Sequence, residues 1–278
     1  MPAHACTIDF ADPHDSTAPR WQHRFAAPRQ LLIATQLAEV RAVLAAVQAA
    51  AEQGAWCVGA LRYEAAAAFD AALQTHAGDA PLAWFAVYDA PQPQPQPQPP
   101  SLSACAADAA SAPTLHWHTL PERAAFDAAL ASIHQSIAAG DYYQVNYTAQ
   151  TEASVEGTGA VAADTARALF AALQRAQPGG YAALLDMGDG ASQSHVLSVS
   201  PELFFDWRSG SPGEAGHILT RPMKGTAPRG ATPEQDAAHA AALRASPKER
   251  AENVMIVDLL RNDLSRIAQP HSVQVPVL

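Results

Sequence analysis

Y-A-A-L-L-D-M-G-D-G-A-S-Q-S-H-V-L-S-V-S-P-E-L-F-F-D-W-R-S-G-S-P-G-E-A-G-H-I-L-T, Tyr181 to Thr220, is the stretch on which the architecture turns. Tyr181 to Asp186, Val196 to Ser200, Leu203 to Trp207 and His217 to Thr220 are short apolar runs parted by Gly-rich or Ser-rich turns. Such runs read as strands. Strict βαβ alternation is missing, which argues against a doubly wound parallel sheet and predicts a meandering antiparallel sheet.

Upstream, Pro121 to Ala139 carries Phe126, Leu130, Ile133 and Ile137 on one helical face, with Gly140-Asp141 as the stop. Tyr142 to Gln150 alternates like a half-buried strand, Ala162 to Gln174 fits another helix, and H-W-H at 116 to 118 suits a strand. Downstream, Ser246-Pro247-Lys248-Glu249 supplies an N-cap, a proline at the first helical position and a Glu at the third. This is a capping box in sequence form. The helix it opens runs to about Leu264 with Met255, Ile256, Leu259 and Leu260 as its stripe, and V-Q-V-P-V-L beyond Pro270 reads as the opening of a strand.

The N-terminal third is mixed. Leu31 to Ala51 places Leu37, Val40, Leu44 and Val47 at helical spacing, whereas Trp56 to Tyr63 and Leu82 to Tyr88 read as strands. Pro91 to Pro100 is P-Q-P-Q-P-Q-P-Q-P-P, in which every second residue lacks an amide proton, so polyproline II geometry is expected. The predicted organisation is an N-terminal α+β subdomain over 1–90, a Pro/Gln and Ala/Ser linker over 91–113, and the N-terminal part of a second domain over 114–278.

Composition narrows the function classes. The 278 residues carry 17 Lys plus Arg against 27 Asp plus Glu, a formal charge of −10, which argues against a nucleic-acid or anionic-membrane surface. Apolar runs are interrupted well short of the ~20 residues a membrane span needs. M-P-A-H-A-C-T-I-D-F-A-D-P-H-D-S has no basic start followed by an apolar run, so no export signal is expected. Cys6, Cys57 and Cys105 suit neither a disulfide framework nor a zinc site, and the cytoplasm is the expected compartment.

Arg221 to Gly230 (R-P-M-K-G-T-A-P-R-G) gathers three cations and two glycines in an otherwise acidic chain. Ala231-Thr232 follow where a phosphate loop needs Lys-Ser/Thr, so a nucleotide loop fails, leaving an anion pocket or a solvated basic loop. Lys224 could be a nucleophile where desolvation or neighbouring cations favour the neutral amine, and Arg221 and Arg229 are such neighbours. In the last helix Glu249 and Glu252 lie one turn apart, with Asp258 and Asp263 beyond. Carboxylates so spaced suit Mg²⁺, although the capping box explains Glu249 and a solvated face competes for Glu252. Glu202, between Pro201 and an apolar strand, is a general acid if buried and an edge-strand carboxylate if not.

Taken together, G-D-Y-Y-Q-V-N-Y-T (Gly140 to Thr148), S-P-E-L-F (Ser200 to Phe204), P-M-K-G-T-A-P-R-G (Pro222 to Gly230) and R-A-E-N-V-M-I-V-D-L-L-R-N-D-L (Arg250 to Leu264) resemble the chorismate-binding enzymes. The resemblance covers about Phe126 to Val275, and W-C-V-G-A-L-R-Y-E-A-A near the N-terminus fits the aminodeoxychorismate branch. It implies an α+β fold of the anthranilate synthase component I type, with two packed, mainly antiparallel sheets and outer helices.

The same resemblance implies roles. Water-adding members carry a lysine where this chain has Gln144, and anthranilate-forming members usually carry alanine at the position of Lys224. A lysine there resembles the aminodeoxychorismate branch, in which the ε-amine attacks the ring and leaves when ammonia enters. Lys224 would be the nucleophile, Glu202 the general acid, and Glu252, with Glu249, ligands of Mg²⁺. Gln144, Gly225 and Thr226 would line the chorismate pocket, and a glutamine amidotransferase subunit would supply ammonia. Members continue past the equivalent of Leu278, so the resemblance implies a catalytic domain incomplete at its C-terminus and inactive alone. A fragment that binds the amidotransferase without chemistry, and an anthranilate-forming enzyme, are the alternatives.

Overall fold

Gln30 to Ala34 forms a strand, not the start of a helix, and its cause is visible in the next turn. Glu39 Oε2 accepts the backbone N–H groups of Thr35 (2.8 Å) and Gln36 (3.0 Å), so α1 begins at Leu37 and runs to Glu52. That leaves Leu31 to Ala34 free for a ladder, correcting the helix expected from Leu31. In this computed structural model the described residues are 4–92, 113–119, 122–155, 162–188, 194–211 and 213–276. The expected linker therefore lies, apart from Pro91, Gln92 and Pro113, outside them.

In chain order the elements are β1 (Cys6–Phe10), β2 (Trp21–Phe25), β3 (Gln30–Ala34), α1, β4 (Trp56–Leu61), a 3₁₀ turn (Tyr63–Ala68) and β5 (Ala83–Tyr88). Then follow β6 (Leu115–Thr119), α2 (Arg123–Ala139), β7 (Glu152–Val155), α3 (Ala162–Ala176), β8 (Tyr181–Asp186) and β9 (His195–Ser200). The last elements are β10 (Leu203–Arg208), β11 (His217–Arg221), α4 (Pro233–Ala245) and α5 (Pro247–Ser265). Mixed α and β structure is thus confirmed. Two large packed sheets are not: the described strands form four sheets, ordered β2-β1-β8-β9, β3-β5-β4, β6-β7 and β10-β11.

The chain divides into two compact units. The first comprises Met1–Thr7, His23–Ala176 and Leu184–Leu197. Its antiparallel β3-β5-β4 sheet pairs Gln30 with Val87 through Ala34 with Ala83, and Trp56 with Tyr88 through Leu61 with Ala83. Ala34, Val40, Ala65, Leu82 and Ala83 form a buried cluster covered by Val43, Leu44, Ala68 and Phe85. Each large apolar side chain buried in this way contributes about 1.5–3 kcal/mol. Gly59 is required here because a Cβ would stand 2.2 Å from the Trp84 carbonyl oxygen.

Helix α2 ends where the sequence says it should. Gly140 adopts φ +84°, its N–H reaches Ile137 O, and Asp141 N–H reaches Ser136 O, the paired bonds of a Schellman motif. The strand expected over Tyr142 to Gln150 does not form: these residues are irregular, and β7 starts at Glu152 to pair with β6. Alternation produces a strand only where a neighbouring ladder receives it.

The second unit comprises Ile8–Gln22, Gln177–Ala183 and Ser198–Leu278. Strands β10 and β11 pair antiparallel, with Asp206 opposite Leu219 and Arg208 opposite His217. Helix α4 was not indicated by an apolar stripe; it is set by Thr232 Oγ1, which accepts from Gln235 N–H, with Pro233 in the first turn. Neither α4 nor α5 has a fully buried residue, so the expected stripe of α5 is only partly covered, with Leu259 exposed. Residues 273–276 are not in a strand.

Candidate active site

Helix α5 and the loop after β11 are joined by one side chain. Asn253 Oδ1 accepts the backbone N–H of Lys224 at 3.2 Å, while its Nδ2 donates to the Lys224 carbonyl (3.0 Å) and to the Glu249 carbonyl (3.0 Å). The neighbours of Lys224 are held by other candidates. Met223 N–H donates to Glu202 Oε1 at 2.8 Å. Gly225, at φ +83°, lies against Glu249, whose Oε2 is 2.6 Å from where a Cβ would stand.

Three consecutive loop residues therefore meet Glu202, Asn253 and Glu249 in turn. Glu252 shares α5 with Glu249, and Lys248 lies 3.7 Å from a Glu249 oxygen and 3.6 Å from a Glu252 oxygen. Both carboxylates are half-buried. Thr226 is exposed, one residue beyond Gly225. Gln144 belongs to the first unit, where its Nε2 donates to Asn146 Oδ1 (3.2 Å) and its Oε1 is buried without a hydrogen-bond partner.

Three local expectations change. Glu202 is exposed, because it precedes a strand that belongs to a two-stranded sheet, so the burial expected of it is absent. Only half of the capping box forms at α5: Ser246 Oγ accepts from Glu249 N–H, but Ser246 N–H goes to Leu243 O. The Glu249 carboxylate turns to Gly225 instead, which removes the plain explanation for that side chain. Arg229 pairs with Asp236 Oδ2 at 2.6 Å, and Asp236 Oδ1 also accepts Gly230 N–H, so the charge of this arginine is offset by α4.

Arg221, Pro222 and Met223 form one wall of a cavity of about 530 Å³, which Asp12, Arg20 and Tyr181 also line. Arg221 Nη1 donates to the Pro13 carbonyl and Arg20 Nε to Asp9 Oδ1, so both cations already have acceptors. Glu202 lines a second cavity of about 420 Å³ with Trp21, Tyr181 and Trp207.

Hard carboxylate oxygens one turn apart suit Mg²⁺, which commonly takes one or two protein carboxylates and completes its shell with water and substrate oxygens. The space left by Gly225 gives Glu249 room to present its oxygens, so Glu249 and Glu252 fit that ion. Among the described residues no group of three or more His, Cys, Asp or Glu side chains could hold a metal. Asn253 is the participant that sequence reasoning missed. Its signal was its position, a polar residue one turn after Glu249 beside an apolar stripe.

Residues 9–278 match the family described as chorismate binding enzyme, and the chain belongs to that family. Among its relatives, aminodeoxychorismate synthase component 1 of Klebsiella aerogenes is 42% identical over 165 residues, 59% of this chain and 33% of the relative. The Escherichia coli (strain K12) protein of the same name is 36% identical over the same shares. Anthranilate synthase component 1 of Streptomyces coelicolor is 34% identical over 170 residues, 61% of this chain and 30% of that protein. The matched region spans about a third of the length of these curated relatives. No helix among the described residues is long and apolar enough to cross a membrane.

Proposed function

We propose that the chain carries part of the active site of an aminodeoxychorismate synthase component 1, which converts chorismate and ammonia to 4-amino-4-deoxychorismate. The observation that carries this reading is the gathering of Glu202, Lys224, Gly225 and Glu249 at one loop, with Asn253 fastening it to the helix that bears Glu252. Lys224 is the nucleophile: its amine forms a C–N bond to the ring as the C4 hydroxyl departs as water, taking a proton from Glu202, a role carried by the family resemblance and not by burial. Ammonia then bonds to C4 as the ring–lysine bond breaks and the amine is restored. Covalent catalysis of this kind divides one difficult displacement into two easier ones.

Mg²⁺ held by Glu252 and Glu249 would anchor a substrate carboxylate and offset its charge. Gly225 and Thr226 contribute to the chorismate pocket. The relatives' name, component 1, supports a partner, and a glutamine amidotransferase that delivers ammonia fits the chemistry. A second reading, anthranilate formation, is favoured by the Streptomyces coelicolor relative; Lys224 opposes it.

The test is intact-mass analysis, after incubation with chorismate and Mg²⁺ in the absence of ammonia, of this chain joined to the remaining part of the family's catalytic domain. An adduct of chorismate less water on Lys224, lost in Lys224→Ala, is expected; added ammonium should release 4-amino-4-deoxychorismate. Anthranilate as the product, or aminodeoxychorismate formation unchanged in Lys224→Ala, overturns the assignment.

A further inference from the structure

We propose that Asn253 is a positioning residue for Lys224, setting the backbone from which the amine projects; the catalytic meaning of this rests on the reading above. A side-chain amide has two N–H donors and one carbonyl acceptor. Here both donors are used, on Lys224 O and Glu249 O, and the acceptor takes Lys224 N–H. The loop residue and the helix residue are 29 positions apart in sequence, so this is tertiary fastening and not local turn chemistry.

Few side chains could replace it. Aspartate keeps an acceptor for Lys224 N–H but directs a second oxygen at two carbonyl oxygens; serine is too short to span both groups, and glutamine carries an extra methylene. Alanine removes all three bonds while raising helix propensity. Loss of positioning in Asn253→Ala is therefore separable from a weakened helix. Misplacement of a reacting group by about 1 Å can cost about 10²-fold in rate, so a backbone clamp of this kind has catalytic weight.

The chain contains only two lysines, Lys224 and Lys248, which makes the experiment direct. Limited acylation with acetic anhydride, read by peptide mass spectrometry across a pH series, reports each amine separately. In Asn253→Ala the Lys224 rate should rise at least threefold and its pH profile should move, while Lys248 keeps both. Asn253→Asp should release Lys224 as well. Unchanged Lys224 labelling, or equal changes at both lysines, overturns the proposal.

Hydrogen exchange on the wild-type chain needs no variant: the Lys224 amide should be protected, and exchange at the unprotected rate overturns the clamp. Where Asn253→Ala passes these tests but wild-type protein forms no chorismate adduct, the covalent reading fails and the clamp stands. Where the adduct forms and labelling is unchanged, the clamp alone fails.

Discussion

Glu249 and Gly225 occupy one space: the carboxylate oxygen stands 2.6 Å from the point where any larger residue at 225 would place its Cβ. Gly225→Ala meets two penalties, a left-handed backbone costing about 1–2 kcal/mol for a residue with a Cβ and displacement of the Glu249 carboxylate. The expected outcome is lower stability in urea together with weaker Mg²⁺ binding by calorimetry. Magnesium affinity equal to wild type would show that Glu249 is not a ligand.

Glu202 holds the Met223 N–H and is the proposed proton donor, and one substitution separates the two. In Glu202→Gln the amide oxygen still accepts Met223 N–H, so the loop should keep its place, but the proton donor is lost. In the chain joined to the remaining part of the catalytic domain, chorismate turnover should fall about 10²- to 10⁴-fold, the usual weight of a general acid, with little change in thermal midpoint. Turnover retained in this variant would assign the proton to another group.

The start of α1 should be acid-sensitive. The N–H groups of Thr35 and then Gln36 hold the Glu39 carboxyl below its ordinary 4.5. Because the folded value is depressed, the stabilisation is present above pH 4.5 and is lost as pH falls through the lowered folded value. Glu39→Gln should lower the thermal midpoint at pH 7, and its difference from wild type should shrink in acid. A constant difference across pH would separate the capping role from the charge.

Thiol chemistry should distinguish two cysteines. Burial pushes the Cys6 thiol up, and it lies 3.2 Å from the Tyr88 hydroxyl; burial also raises Cys57, which is only partly covered. Thiolate is the reactive form. Iodoacetamide at pH 8 should therefore alkylate Cys57 before Cys6, with Cys6 reacting only on unfolding. Equal native rates would contradict the packing around Tyr88.

Local signals were read from the sequence where the cause is itself local. Gly140 ends α2 because a left-handed residue closes the Schellman bonds, and Ser246-Pro247 starts α5 because the cap lies next to the groups it satisfies. The four short runs from Tyr181 to Thr220 became β8 to β11, but β8 lies beside the distant β1 and the runs divide between two sheets instead of one meander. Where the outcome depended on a distant partner, the pattern was not enough. Tyr142 to Gln150 alternates but joins no ladder, while Leu31 to Ala34 looks helical but is taken up by β5.

The candidate site divides in the same way. The motifs determined by themselves which residue types were available: an amine at 224, carboxylates at 202, 249 and 252, and a glycine at 225. Only the tertiary structure decided that Met223 meets a carboxylate 21 residues earlier and that Lys224 meets an amide 29 residues later. It also turned Glu249 from its cap toward Gly225. Hydrogen bonds and steric fit act over a few ångströms of space, whatever the separation along the chain, so spacing alone does not contain them.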